Sequence, residues 1–130
     1  PRKRHYSLCD GIVAGQGRGP MNPDPAEAGL VVFGTHPVSV DLVTTWLMGF
    51  DPEQIPIIRN AFECDRYPLT DFEPEAVSVL SNREDWDGSC LEIPPSATMD
   101  FDPHFGWEGH VENRSGRDES TSKTVTSPTD

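Results

Sequence analysis

The chain has 130 residues and a net charge of −12, from 22 Asp and Glu against 10 Lys and Arg. This length suits one domain. The acidity argues against nucleic acid as a partner, because binding a phosphate backbone needs clustered Lys and Arg. No apolar run approaches the roughly 20 residues of a membrane span, so we expect no membrane partner.

The negative charge lies in the body of the chain. Residues 5–111 hold 18 acidic side chains against four arginines, whereas residues 2–4 are all basic. The stretch 112–130 contains a single apolar residue, and this composition predicts a disordered polar tail. We therefore expect one domain over 1–111, or the C-terminal part of a larger one.

The three cysteines are widely spaced along the chain. Cys9, Cys64 and Cys90 form no Cys-x-x-Cys pair, so we expect no iron–sulfur cluster ligated within this chain. Isolated thiols suit a reducing compartment, which favours a cytoplasmic location.

The first third of the chain predicts two strands separated by a loop. Residues 6–13 form the first predicted strand, and the Gly- and Pro-rich stretch 15–25 excludes regular structure. The continuous apolar run from Gly29 to Gly34 predicts a second strand that is buried on both faces.

Two helices are predicted next. Thr35 is the predicted N-cap of a helix with apolar residues at three- and four-residue spacing, which stops at Gly49. Asp51, Pro52 and Glu53 predict the start of a second helix, with Asp as the cap and Pro in the first position.

The remaining elements are two short predicted strands, at 76–80 and 90–93. The succession predicts an α/β fold with a small mixed or parallel sheet and two helices on it. This unit is either complete or an incomplete half of a larger domain.

The loop that follows Asp10 is the most distinctive feature of the sequence. Gly15, Gly17 and Gly19 alternate with other residues, and such spacing lets backbone N–H groups converge on a ligand. Arg18 adds a charged fork for a carboxylate or phosphate. Neither the P-loop nor the dinucleotide fingerprint fits this context. The alternative is a purely structural loop.

A second candidate position is the junction between the strand that ends at Gly34 and the helix after it. Ligands of open α/β sheets commonly bind at such junctions. His36 is a candidate acid, base or ligand there, and Asp41 lies about one helical turn further on. The alternative for Asp41 is an acid that stabilises the helix dipole.

A third candidate is the aromatic and glycine-rich stretch 101–110. His104 and His110 are competent metal ligands, and together with Asp10 and Asp41 they make the predicted ligand set for a divalent metal. The alternative is a lid whose aromatic rings pack on the sheet while its histidines make local hydrogen bonds.

Three segments carry a family resemblance that extends over roughly residues 5–65. They are Asp10-Gly11 with the Gly-x-Gly-x-Gly-Pro loop, His-Pro-Val-Ser-Val-Asp at 36–41, and Leu-Met-Gly-Phe-Asp-Pro at 47–52. In order and spacing they resemble the C-terminal part of the prokaryotic family called domain of unknown function 362.

The resemblance implies an α/β domain and no defined activity. Some members of that family carry a ferredoxin-like four-cysteine cluster, which this chain lacks. The family often has acidic residues where Gln16 and His36 stand here, so a metal site built on those acids would be altered. Members are usually longer, which implies an N-terminal segment beyond this sequence.

Two functions from different classes follow. The first is an enzyme-like ligand site for a divalent metal or a small anion. In it Asp10, His36 and Asp41 are the candidate catalytic residues, and the glycine loop with Arg18 binds the ligand. The second is a non-catalytic acidic interaction module. It would either complete a larger, iron–sulfur-linked protein as a half-domain, together with an N-terminal segment or a partner chain, or dock a basic partner.

Overall fold

The computed structural model describes residues 3–113, so the predicted tail from 114 onward lies outside the described residues. The described strands are β1 (Ser7–Gly11), β2 (Ala14–Gln16), β3 (Asp24–Ala26), β4 (Leu30–Gly34), β5 (Ser78–Val79) and β6 (Gly88–Ser89). The described α-helices are α1 (Pro37–Leu47) and α2 (Pro56–Glu63), and single 3-10 turns connect the elements of the second half. The α/β class with two helices is confirmed.

Within the described residues the strands form three two-stranded sheets in place of the one small mixed or parallel sheet expected from the sequence, and each pair is antiparallel. The pairs are β1 with β4, β2 with β3, and β5 with β6. In the first sheet Leu8 lies opposite Phe33 and Asp10 opposite Val31. The connection between β1 and β4 contains the separate β2–β3 hairpin.

The prediction that β4 is buried on both faces is wrong. Leu30 and Val32 pack against the main core, whereas Val31 and Phe33 are exposed. Helix α1 contacts both β1 and β4 and covers the inner face of the sheet. A continuous apolar run does not reveal that only one face of a strand is covered.

Helix α1 begins and ends through local chemistry. His36 occupies the N-cap position, one residue later than predicted, and its side chain makes no capping bond. Pro37 takes the first helical position, where a missing N–H costs nothing. Gly49 stops the helix with φ of 87°, a conformation that a side chain disfavours.

The predicted second helix is split in two. Asp51 does act as a cap, since its Oδ1 accepts a hydrogen bond from the Glu53 N–H at 3.0 Å, but the turn it caps is the 3-10 turn Pro52–Gln54. Helix α2 starts afresh at Pro56, because a proline suits a first turn and interrupts a helix interior.

The predicted strand at 90–93 is also wrong. A 3-10 turn spans Cys90–Glu92, and the strand that pairs with β5 is Gly88–Ser89 just before it. Ile93 remains buried, and its carbonyl accepts a hydrogen bond from the Trp46 Nε1–H at 2.9 Å.

Two apolar clusters hold the described part together. The larger joins α1 and α2 to the second half of the chain; its buried members are Leu42, Val43, Leu47, Ile58, Val77, Trp86, Cys90 and Ile93. The smaller contains Phe50, Phe101 and Val111. Burial raises the pKa of the Cys90 thiol to about 12, so this cysteine is an inert core residue.

Candidate functional site

The glycine loop is fixed by its own contacts. The stretch predicted to be irregular forms the short β2–β3 hairpin, and across its loop the Arg18 guanidinium contacts the Asp24 carboxylate at 2.8 Å. This partnership raises the pKa of Arg18 and lowers that of Asp24, chiefly through their hydrogen bond. Arg18 therefore already has an anionic partner within the chain.

The backbone of the loop is equally engaged. The Gly17 N–H donates to the Asp102 carbonyl at 2.9 Å, and the Asp102 N–H donates to Gln16 Oε1 at 3.0 Å. A side chain at Gly15 would lie 2.8 Å from Pro23. A Cβ at Gly19 would lie 4.0 Å from the Pro23 side chain, which is an ordinary van der Waals contact. The geometry favours the structural alternative, in which glycines permit close packing and docking of the segment after Phe101.

Asp10 and Asp41 lie on different sides of the β1–β4 sheet. Asp10 is exposed on the outer face, opposite Val31, and its Oδ1 accepts a hydrogen bond from the Ile12 N–H at 3.1 Å. Asp41 is exposed on α1, the helix that covers the inner face. The structure does not bring these two carboxylates together.

The two histidines of the aromatic segment make local contacts. His104 Nδ1 accepts a hydrogen bond from the Gly106 N–H at 3.2 Å, and its ring lies 3.9 Å from that of Phe105. His110 is exposed. Among residues 3–113 no group of three or more His, Cys, Asp or Glu side chains is arranged to hold a metal ion. The metal set predicted from sequence therefore has no geometric support in this part of the chain.

His36 is the candidate residue in the most unusual environment. Its ring meets Phe72 edge-on at 5.0 Å, and its Nδ1 is buried without a hydrogen-bond partner among the described residues. His36 also lines a cleft of about 720 Å³ between the start of the chain and α1. The residues that line this N-terminal cleft are Lys3, Arg4, His5, Tyr6, Thr35, His36, Pro37, Val38 and Leu69.

The position of His36 at this junction was predictable from the sequence, whereas the other walls of the cleft were not. The basic start of the chain is the one signal that pointed there, since Lys3 and Arg4 stand out in so acidic a protein. Leu69 comes from a distant loop, and no local pattern connects it to α1.

A second missed feature is an apolar surface, which we call the outer face. Its members are Tyr6, Leu8, Val31 and Phe33, with 58%, 69%, 56% and 63% of their surfaces exposed. The rings of Tyr6 and Phe33 stack at 5.7 Å. The two-residue spacing of Tyr6 and Leu8 was a readable signal for a one-sided face.

The third missed feature is a groove of about 520 Å³ that runs along β4, which we call the edge groove. Its walls are residues 28–35 and 77–83, and Val40, Val43 and Leu47 of α1 also line it. In the described part of the chain β4 pairs with β1 alone, so the backbone edge of β4 opposite β1 has no partner strand. No local motif predicts this feature.

Comparison with known proteins gives little family information. No family model matches the chain, and no solved structure matches it. A thylakoid-associated protein of Synechocystis is 42% identical over 50 residues, which are 38% of this chain and 16% of that protein. The chain thus matches about a sixth of this relative's length. The resemblance to domain of unknown function 362 stays a prediction.

The described helices add one negative finding. Neither helix in residues 3–113 has the length and apolar character needed to cross a membrane.

Proposed function

We propose that this domain is an interaction module that forms part of a larger fold. Its β4 edge accepts a strand from another polypeptide segment, and the polypeptide that supplies the strand also covers the outer face. The edge groove is the observation that carries this proposal. It corresponds to the half-domain alternative of the sequence analysis.

The lining of the edge groove suits an added strand. A strand placed beside β4 would lie about 4.8 Å from it and pair with its unbonded N–H and C=O groups. Val40 and Val43 on the floor offer an apolar surface for the inward side chains of that strand. Val79 lies on the opposite wall. Without an added strand, the unbonded N–H and C=O groups of β4 form an exposed sheet edge, and proteins usually protect such edges.

The outer face supports the same proposal through its apolar area. Four large apolar side chains sit side by side on one surface of a two-stranded sheet, and such a sheet is marginally stable in water unless it is covered or extended. Covering them would stabilise the assembly by about 25 cal/mol for each Å² of apolar surface removed from water.

Charge narrows the identity of the occupant. Residues 3–113 carry 19 acidic side chains against six Lys and Arg, so an acidic segment would be repelled. We therefore propose a neutral or basic segment with alternating apolar residues. The length of the Synechocystis relative supports a larger fold, since the 50 matched residues make up only 16% of that protein.

Photo-crosslinking in the cells that make the protein tests the proposal. A benzoylphenylalanine is placed at Phe33 on the outer face, at Val79 in the edge groove and, as a control, at Ile57. Ile57 is 80% exposed on α2, away from both surfaces. We expect one and the same segment to be captured from positions 33 and 79 and not from 57. Capture at the level of the control, or of a second copy of this chain, would contradict the proposal.

A ligand site at the strand–helix junction is the second candidate function, and the cleft that His36 lines favours it. The predicted metal and the catalytic roles of Asp10, His36 and Asp41 belong to this candidate. A calorimetric titration with Mn²⁺ tests the metal, with Asp10→Asn and Asp41→Asn as variants. Binding that weakens in either variant would support a metal role for that carboxylate, and equal or no binding in all three proteins would remove it.

A further inference from the structure

We infer that the N-terminal cleft binds a small organic anion that has an aromatic or aliphatic body. This inference rests on the second candidate function, the ligand site at the junction, and names the class of its ligand. It does not involve the glycine loop, whose arginine is already paired with Asp24.

Most of the basic side chains in the described part of the chain already have interaction partners. Of the six Lys and Arg between residues 3 and 113, four already have partners. Arg18, Arg59 and Arg83 pair with carboxylates, and Arg66 lies over the Tyr67 ring at 5.4 Å. Lys3 and Arg4 have no such partner among the described residues, and both line the cleft. In an acidic protein, two unpaired cations in one concave site are available for an anion.

The second step is the nature of the walls. Tyr6, Pro37, Val38 and Leu69 supply apolar surface on several sides of the cleft. Inorganic phosphate would leave that surface unused. A ligand with a ring or a short chain would bury it while its charged end meets the cations. Sites for small molecules commonly combine mostly apolar walls with a few placed polar groups.

The third step is the buried nitrogen of His36. Burying a polar atom without a hydrogen bond costs free energy, so Nδ1 would gain a partner if the ring turned toward a ligand in the cleft. As Nδ1–H it would donate to an oxygen of the anion. The first-turn N–H groups of α1, which include those of Val38 and Ser39, face the same end and favour negative charge. Volume is sufficient, since 720 Å³ lies within the usual range for ligand pockets.

Phenyl phosphate, phenol and inorganic phosphate separate the contributions of charge and body. Each is titrated into the full chain and followed by amide chemical shifts in an NMR spectrum. We expect phenyl phosphate to shift the amides of residues 5–6, 35–36 and 38, and to bind more tightly than either of the other two probes. If phenol binds as tightly as phenyl phosphate, the inferred requirement for an anion is wrong. If inorganic phosphate binds as tightly, the inferred requirement for an apolar body is wrong.

Variants assign the charge to its source. Lys3→Gln and Arg4→Gln each remove one unpaired cation, and Arg59→Gln on α2 is the matched control. Loss of one charge-assisted contact is expected to weaken phenyl phosphate binding roughly tenfold, and Arg59→Gln is expected to leave it unchanged. Equal affinity in all three variants, each melting at the wild-type temperature, would overturn the inference. The crosslinking result at Phe33 does not depend on this outcome.

Discussion

The two faces of the β1–β4 sheet differ although they share the same two strands. On the inner face Leu30 and Val32 reach the core around Leu42 of α1. On the outer face Leu8 and Phe33 have equally apolar side chains and stay exposed. Strands that carry apolar residues on both faces therefore have only one face covered by the described residues. The uncovered face brings four large apolar side chains together, where a partner segment would bury them.

The largest difference between the two faces is expected when one buried leucine and one exposed leucine are each replaced by alanine. Leu42→Ala removes a side chain that is 2% exposed and is expected to lower the free energy of unfolding by about 2–5 kcal/mol. Leu8→Ala acts on a side chain that is 69% exposed and is expected to cost less than about 0.5 kcal/mol. Urea denaturation measures both, and similar losses would mean that the outer face is covered within the chain itself.

An intermediate effect on stability is expected when Gly49, which is packed against Asp100, and Gly29, which is not packed, are each replaced by alanine. Gly49 and Gly29 both have positive φ, of 87° and 65°. A Cβ at Gly49 would also touch Asp100 at 3.4 Å, whereas nothing lies within 4 Å of one at Gly29. Each change to Ala is expected to cost about 1–2 kcal/mol through the backbone, with the larger loss at Gly49. Thermal melts rank them, and a larger loss at Gly29 would contradict the packing described around α1.

The ion pair of the glycine loop has the smallest expected effect. Arg18 holds the pKa of the Asp24 carboxyl below its usual value, so its contribution is present at neutral pH and is lost as the pH falls through the lowered folded-state pKa. In Arg18→Gln the pKa of Asp24 should rise toward the ordinary value, as followed by an NMR titration. An unchanged pKa would mean that the two side chains are apart in solution, which would free Arg18 for a ligand.

Local chemistry in the sequence was sufficient for the class and for much of α1. Pro37 and Gly49 mark its ends through backbone geometry that depends on neighbours alone. The two helices and the first strand were predictable for the same reason. The division of the second helix at Pro56 was harder to predict. Pro52 and Pro56 each occupy the first position of a helical segment, where proline is favourable.

The candidate site was less predictable because it depends on distant contacts. Gly17 meets Asp102 across 85 positions of the chain, and Leu69 reaches the cleft in front of α1 from a separate loop. The pairing of Arg18 with Asp24 is local in the chain. The sequence alone was nevertheless equally compatible with Arg18 binding an anion from outside the chain. His36 was correctly located at the junction, while the partners around it were not foreseen.

Amide hydrogen exchange at β4 is the most direct test of whether another segment adds a strand to the β4 edge. Exchange is measured for the chain alone and for the assembly purified from the cells that make the protein. We expect protection of the amides of Leu30–Gly34 to increase markedly in the assembly, while protection in α2 stays the same. Equal exchange at β4 in the two samples would show that no strand is added there and would contradict the proposed function.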